Sequence, residues 1–138
     1  MRSFQLKVLT PVGEAFAGEI VQINLRTTGG EVGILAGHTD YLAGVEVCVV
    51  KLVENEENGR FAFCGGGFFS MTAGVATLVT DELVFADQLD EQAVSAEVAD
   101  FAERLGACSD EQTKRFLTAE LRRATTKKKA IEAQKELR

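Results

Sequence analysis

The hydrophobic period of this chain changes once, near Asp87, and that change constrains the fold more than any other feature. Upstream, apolar residues recur at every second position. Phe4, Leu6 and Val8 alternate with Gln5 and Lys7, and Val21, Ile23 and Leu25 alternate with Gln22, Asn24 and Arg26. That alternation marks strands with one buried face. Downstream, Val94, Val98, Phe101 and Leu105 are spaced by four, three and four residues, one stripe of an amphipathic helix. The chain therefore divides into a β domain over residues 1–87 and a helical segment over residues 88–138.

Turn chemistry punctuates the first part at Pro11-Val12-Gly13, Gly29-Gly30, Asn58-Gly59 and Ala73-Gly74. Asn58-Gly59 suits a type I′ hairpin, since both residues tolerate positive φ. Val45 to Val53 reads as one β-branched run, with Arg60 to Cys64 as its returning strand. Phe68, Ser70 and Thr72 share one face of the next strand, with Phe69 and Met71 on the other; Val75, Thr77 and Val79 alternate back. No helical pattern intervenes, so residues 1–86 are expected to form an antiparallel sandwich or barrel.

In the second part, Asp90 is placed to cap a helix over 90–105, and Gly106 to stop it. Ser109 followed by Gln112 reads as a capping box opening a helix over 110–135. A link this short makes the two helices antiparallel neighbours. The expected fold class is an N-terminal β-sandwich followed by an antiparallel two-helix C-terminal hairpin. The second helix has a thin stripe, Leu117, Leu121, Ala124 and Ile131, interrupted by Lys128. Each helix is marginal alone in water, so the hairpin is expected to be less stable than the β domain and able to detach from it.

Charge follows the same division. Residues 1–87 hold five Lys and Arg against eleven Asp and Glu; residues 88–111 hold one against seven; residues 112–138 hold nine against three. An acidic chain is a poor general nucleic-acid ligand, because that binding rests on neutralising phosphates. The basic tail, with Arg122, Arg123, Lys127, Lys128 and Lys129, points instead to an acidic protein partner, and the acidic first helix is expected to attract it. With 46% hydrophobic residues but no apolar run near the roughly 18 needed for a membrane span, a folded domain is expected. The first ten residues lack the regions of a signal peptide, so the chain is expected to act unprocessed. Cys48, Cys64 and Cys108 fit no zinc spacing and are read as reduced thiols.

The segment Gly29 to His38 gathers four glycines and the only histidine. It lacks the GK[ST] ending of a phosphate loop, and its histidine has no evident nucleophile or carboxylate partner. A plain strand and turn and a protein-binding loop stay equally open. Gly65-Gly66-Gly67 is followed by no helix, so a bulge or a close backbone approach is expected there. Neither a catalytic nor a metal-ligating set is found. An RNA- or chaperone-type module using the basic helix and a small cupin-like enzyme are the rival classes; the second needs a metal cluster that one histidine does not supply.

GGEVGILAGH resembles the GELGILPGH signature of F-type ATP synthase epsilon subunits. Val8-Leu9-Thr10-Pro11 with Phe16-Ala17-Gly18-Glu19, Cys64-Gly65-Gly66-Gly67-Phe68, and Val75-Ala76-Thr77-Leu78-Val79 resemble further segments of that family, as does the helical tail. Ala36 replaces the usual proline and Cys64 the usual serine. The resemblance implies a non-catalytic rotor subunit of a proton- or ion-translocating ATP synthase. Its sandwich would bind the gamma subunit and the c-ring loops, with Glu31 and His38 as c-ring contacts. Its hairpin, when extended, would reach an acidic segment of the catalytic beta subunit and inhibit ATP hydrolysis. It would sit on the cytoplasmic side of the bacterial inner membrane, held there only through the complex. Some members bind ATP through an [IL]DxxRA motif and two arginines. Leu89-Asp90 and Arg123 match, but Ala93 and Lys127 replace arginines. Loss of a bidentate guanidinium weighs against an ATP site, and no cofactor is expected.

Overall fold

The computed structural model describes residues 2–55 and 59–137. Strands β1 (Phe4–Thr10), β2 (Gly13–Ile20), β3 (Gln22–Thr27), β4 (Gly30–Leu35), β5 (Tyr41–Val45), β6 (Cys48–Val53), β7 (Gly59–Cys64), β8 (Gly67–Thr72), β9 (Val75–Thr80) and β10 (Leu83–Phe85) precede a 3-10 turn (Ala86–Gln88). Helices α1 (Glu91–Ala107) and α2 (Glu111–Glu136) follow. The strands pair in the order β10-β7-β6-β3-β5-β8-β9-β1-β2, with β4 also on β3. Between β3 and β5 the ladder narrows to one pair, Thr27 and Val45, and there the sheet divides into two leaves. Leu6, Val8, Ile23, Val50, Phe69 and Met71, drawn from both leaves, share one buried core. Burying a side chain of this size contributes about 1.5–3 kcal/mol, so this core is the main source of the sandwich's stability.

Alternation predicted the faces of the strands well. Phe69 and Met71 are buried while Phe68 and Thr72 are exposed, and Ala76 and Leu78 are buried between exposed Val75 and Val79. Three features differ from expectation. The strand β2 has no apolar alternation to betray it; it is held as an edge by its ladder to β1. The pairing of β1 with β9 is parallel, the one parallel ladder among the described strands. The run Val45 to Val53 is two strands, because Glu46 and Val47 carry the chain from one leaf to the other, with the Glu46 N–H on the Arg26 carbonyl at 2.9 Å. β-branched composition does not distinguish a strand from a crossover. The Asn58-Gly59 turn lies outside the described residues.

The helix ends also differ in part. Asp90 caps α1 as expected, accepting from the N–H groups of Gln92 and Ala93 at 3.0 and 3.3 Å. Gly106 does not stop the helix; it lies within the last turn, and Cys108, with extended backbone, ends it. Ser109 does not cap α2. Asp110 does, accepting from the Thr113 N–H at 2.9 Å and its hydroxyl at 2.7 Å, and Gln112 takes no part. A carboxylate so close to the free amides satisfies the helix start better than a hydroxyl one residue earlier. The buried face of α2 comprises Leu117, Ala124, Thr126, Ala130 and Ile131; Leu121 is half-buried and Lys128 is exposed. The face therefore bypasses Lys128 and continues through Ala130. α2 lies against β6, β7 and the 3-10 turn, while α1 packs mainly on α2.

Two glycines make opposite predictions. Gly67 has φ +151° and an added Cβ would lie 1.9 Å from the Val79 carbonyl oxygen. Gly67→Ala is expected to destabilise the sandwich by about 3 kcal/mol or more in urea unfolding. Gly106 is helical with open space around it, so Gly106→Ala is expected to stabilise α1 by about 0.5–1 kcal/mol, read as slower amide exchange. The Asp110 carboxyl is held below its ordinary 3.8 by the hydroxyl and then the amide of Thr113. That contribution is present above pH 3.8 and is lost as pH falls through the lower folded value. The Thr113 amide resonance is expected to titrate there, and Asp110→Asn is expected to abolish the titration.

Candidate functional site

The contact between α2 and the sandwich is built around Arg123. Its Nη2 lies 2.7 Å from Glu82 Oε1 and its Nη1 3.2 Å from Asp81 Oδ2, while Lys127 Nζ lies 3.8 Å from Glu82 Oε1. Asp81 and Glu82 occupy the turn from β9 to β10. Both cations sit 5.2 Å from the ring centre of Phe63, whose side chain is fully buried outside the sandwich core. Lower down, the Phe61 N–H donates to Gln134 Oε1 at 2.9 Å. Gly65 makes room for the clamp: a Cβ there would lie 1.9 Å from Asp81 Oδ1 and 3.0 Å from Arg123 Nη1.

This geometry corrects the expected attraction between the two helices. Among the described residues a single ion pair, Lys135 with Glu91, joins α1 to α2. The strongest basic contacts of α2 go to the sandwich instead. The five basic residues also separate: Arg123 and Lys127 are engaged, Lys128 is exposed, and Arg122 and Lys129 line a groove of about 1050 Å³ between α2 and the outer side of β3, β4 and β6.

Glu31 and His38 do not come together. Glu31, at the start of β4 and opposite Arg26, lines that same groove. His38 follows β4, with Nδ1 2.7 Å from the Thr39 carbonyl oxygen and its ring edge-on to Tyr41 at 5.5 Å. The part of β4 between them, Glu31 to Leu35, alone spans about 13 Å at ~3.3 Å per residue. The segment is thus a strand with a turn after it. Asp90 is occupied as the α1 cap and Arg123 by the clamp. No group of three potential metal ligands gathers among the described residues.

The other leaf carries a surface that alternation alone did not single out. Leu9 on β1 pairs with Val79 on β9, which pairs with Phe68 on β8. These three neighbours are 37%, 48% and 64% exposed, and Leu42 on β5 is 74% exposed. Beside them, Pro11 and Gly65 to Gly67 shape a shallow, largely apolar pocket of about 550 Å³. The sequence did hold a signal: Val8-Leu9, Phe68-Phe69 and Leu78-Val79 are apolar in both phases of a strand, so each must expose one member.

The family model for the ATP synthase delta/epsilon chain β-sandwich domain matches residues 3–86. The chain belongs to the ATP synthase delta/epsilon family. A curated relative, the ATP synthase epsilon chain of Cutibacterium acnes, is 30% identical over 86 residues, which is 62% of this chain. That match spans 59% of the relative's length. In fold, the chain is similar to a chain of the Euglena gracilis mitochondrial ATP synthase, solved as an OSCP/F1/c-ring assembly, with a TM-score of 0.80 and 19% identity, covering 96% of this chain and 81% of that one. It is similar also to a chain of the Tetrahymena thermophila mitochondrial ATP synthase central stalk and c-ring, with a TM-score of 0.60 and 13% identity, covering 94% and 97%. The delta/epsilon sandwich model ends at the 3-10 turn, so α1 and α2 lie outside it.

Arg123→Ala is expected to loosen α2 by about 1–2 kcal/mol. Partly exposed ion pairs contribute about 0.2–1 kcal/mol each and a cation over an aromatic face about 0.5–1. Arg122→Ala and Lys128→Ala are expected to stay within about 0.5 kcal/mol of wild type. Amide exchange along α2, at low and high salt, measures all three.

Proposed function

We propose that this chain is the non-catalytic epsilon-type rotor subunit of a rotary ATP synthase. In this reading the sandwich joins the gamma subunit to the c-ring, and the hairpin restrains ATP hydrolysis. The observation that carries it is the arrangement of two outer faces on a delta/epsilon sandwich. One leaf is covered by α2; the other leaves Leu9, Val79, Phe68 and Leu42 bare. A contiguous exposed apolar surface on a small acidic domain is what a permanent protein partner requires. We assign that face to gamma. Glu31 and His38, at opposite ends of β4, remain the proposed c-ring contacts and would then touch different parts of it.

Among the described residues no helix is long and apolar enough to cross a membrane. Attachment at the cytoplasmic face of a bacterial inner membrane would come through the complex. The clamp suggests how the hairpin could act as a brake. Arg123 and Lys127 face Asp81 and Glu82 when docked, whereas Arg122, Lys128 and Lys129 keep their charge unpaired by any described acid. An acidic segment of the beta subunit would compete with Asp81 and Glu82 for the first pair, and the free three would start the encounter. Two partners of like sign for one element make a two-state device. An ATP-dependent state is not part of this reading, because Ala93 and Lys127 weaken the motif.

Phe68→Glu with Val79→Glu is expected to reduce assembly with gamma at least tenfold in a pull-down, while the isolated variant unfolds as wild type does. Deleting residues 88–138 should raise ATP hydrolysis by the reconstituted complex and leave assembly intact. Normal assembly of the double variant would overturn the gamma assignment, and unchanged hydrolysis after deletion would overturn the brake.

A further inference from the structure

Cys48 and Cys64 lie directly opposite one another at the ends of β6 and β7. Opposed residues of an antiparallel ladder have Cα atoms about 4.5 or 5.5 Å apart, and both values fall within the range that a disulfide spans. Both thiols are free and both belong to the sandwich core. Cys64 is fully enclosed, whereas Cys48 retains 7% exposure. Cys64 Sγ is also 3.6 Å from the Thr80 hydroxyl oxygen, whose own proton goes to the Gly66 carbonyl at 2.7 Å. Cys108 stands apart in the link between the helices.

We propose that Cys48 and Cys64 form a reversible peroxide-sensitive dithiol, reached from the side of Cys48, the less enclosed of the two. Hydrogen peroxide is the oxidant class that fits, being little larger than water. The chemistry balances within the pair. The Cys64 thiolate attacks one peroxide oxygen, the O–O bond breaks, and the departing hydroxide takes the Cys48 proton to become water. The Cys48 thiolate then attacks the sulfenic sulfur of Cys64. The S–S bond forms, a second hydroxide leaves, and a proton from solvent makes it water. Two sulfur electrons have reduced the peroxide. The hydrogen bond from Cys48 draws Cys64 down to about 7, while that contact and burial push Cys48 up. The pair therefore titrates as a unit, and its first proton leaves near neutrality.

Closure brings the Cβ atoms from about 4.5–5.5 Å to about 3.8 Å. Such a bond carries strain and is readily reduced again, as suits a transient mark. It would tie together the two strands that receive α2, one residue from Gly65, whose N–H donates to the Glu82 carbonyl at 2.9 Å. The inference stands independently of any role in ATP synthase.

The test uses the folded full chain carrying Cys108→Ser, which leaves the pair as its only cysteines. Hydrogen peroxide is added in moderate excess at pH 7.5, and the protein is analysed by thiol titration and by mass spectrometry of unreduced digests. Both thiols should disappear together. A peptide linking Cys48 to Cys64 should appear with loss of two hydrogens, and dithiothreitol should restore both thiols. Circular dichroism before and after should show the fold retained. Cys48→Ser in the same background should give no linked peptide and should oxidise Cys64 at least tenfold more slowly. Two thiols left free in the folded protein, linkage only in urea, or overoxidation of Cys64 without linkage would each overturn the proposal.

Discussion

Arg123 ties the helical hairpin to the sandwich. Its guanidinium meets carboxylates of two successive sandwich residues and lies over the face of Phe63. α1 rests mainly on α2, so whatever holds α2 holds the whole hairpin. The underlying core has a different character: it is apolar, continuous between the leaves and indifferent to salt. The hairpin contact joins a buried apolar stripe, Leu117, Ala124, Ala130 and Ile131, to ion pairs that are only partly shielded from water and therefore responsive to ionic strength. This difference makes the hairpin contact the more sensitive of the two to ionic strength.

How much of this was legible in the sequence depended on the kind of signal. Strand faces were legible because alternation reports burial directly: Phe69, Met71 and Leu78 went inward as their phase required. The edge strand β2 was not, since an edge exposes most of its residues and loses the alternation. Nor was the division of Val45 to Val53, because β-branched residues suit a crossover as readily as a strand. Caps failed by one residue at Ser109, where two adjacent residues both suit the position and only the carboxylate of Asp110 reaches Thr113.

The site was legible in outline and not in pairing. Net charge marked α2 as basic, but charge totals do not say which acid a given base will meet. Asp81 and Glu82 are distant in sequence from Arg123, and only the β9–β10 turn brings them near. Glu31 and His38, named together as contacts, lie seven residues apart, yet the intervening strand sets them at a distance in space. Phe68 was assigned to the correct face without being recognised as a surface. Its significance comes from Val79 and Leu9 beside it, on strands that sequence alone does not align.

The parallel ladder between β1 and β9 governs the order in which this protein can be built. Of the described strands β1 comes first in chain order, yet it lies inside the sheet, between β2 and β9. Residues 5–9 must wait for residues 75–79 before their second edge is satisfied. On a ribosome, β1 and β2 can form a hairpin early, but the leaf stays open until nearly the entire sandwich has emerged. Closing so long a loop is expected to be slow, since non-local pairing pays its loop entropy before it gains contacts. The helices follow the sandwich in chain order and, local in their contacts, then have a finished surface on which to settle. Until β9 pairs with it, β1 therefore keeps one backbone edge open, and the closed sandwich hides it.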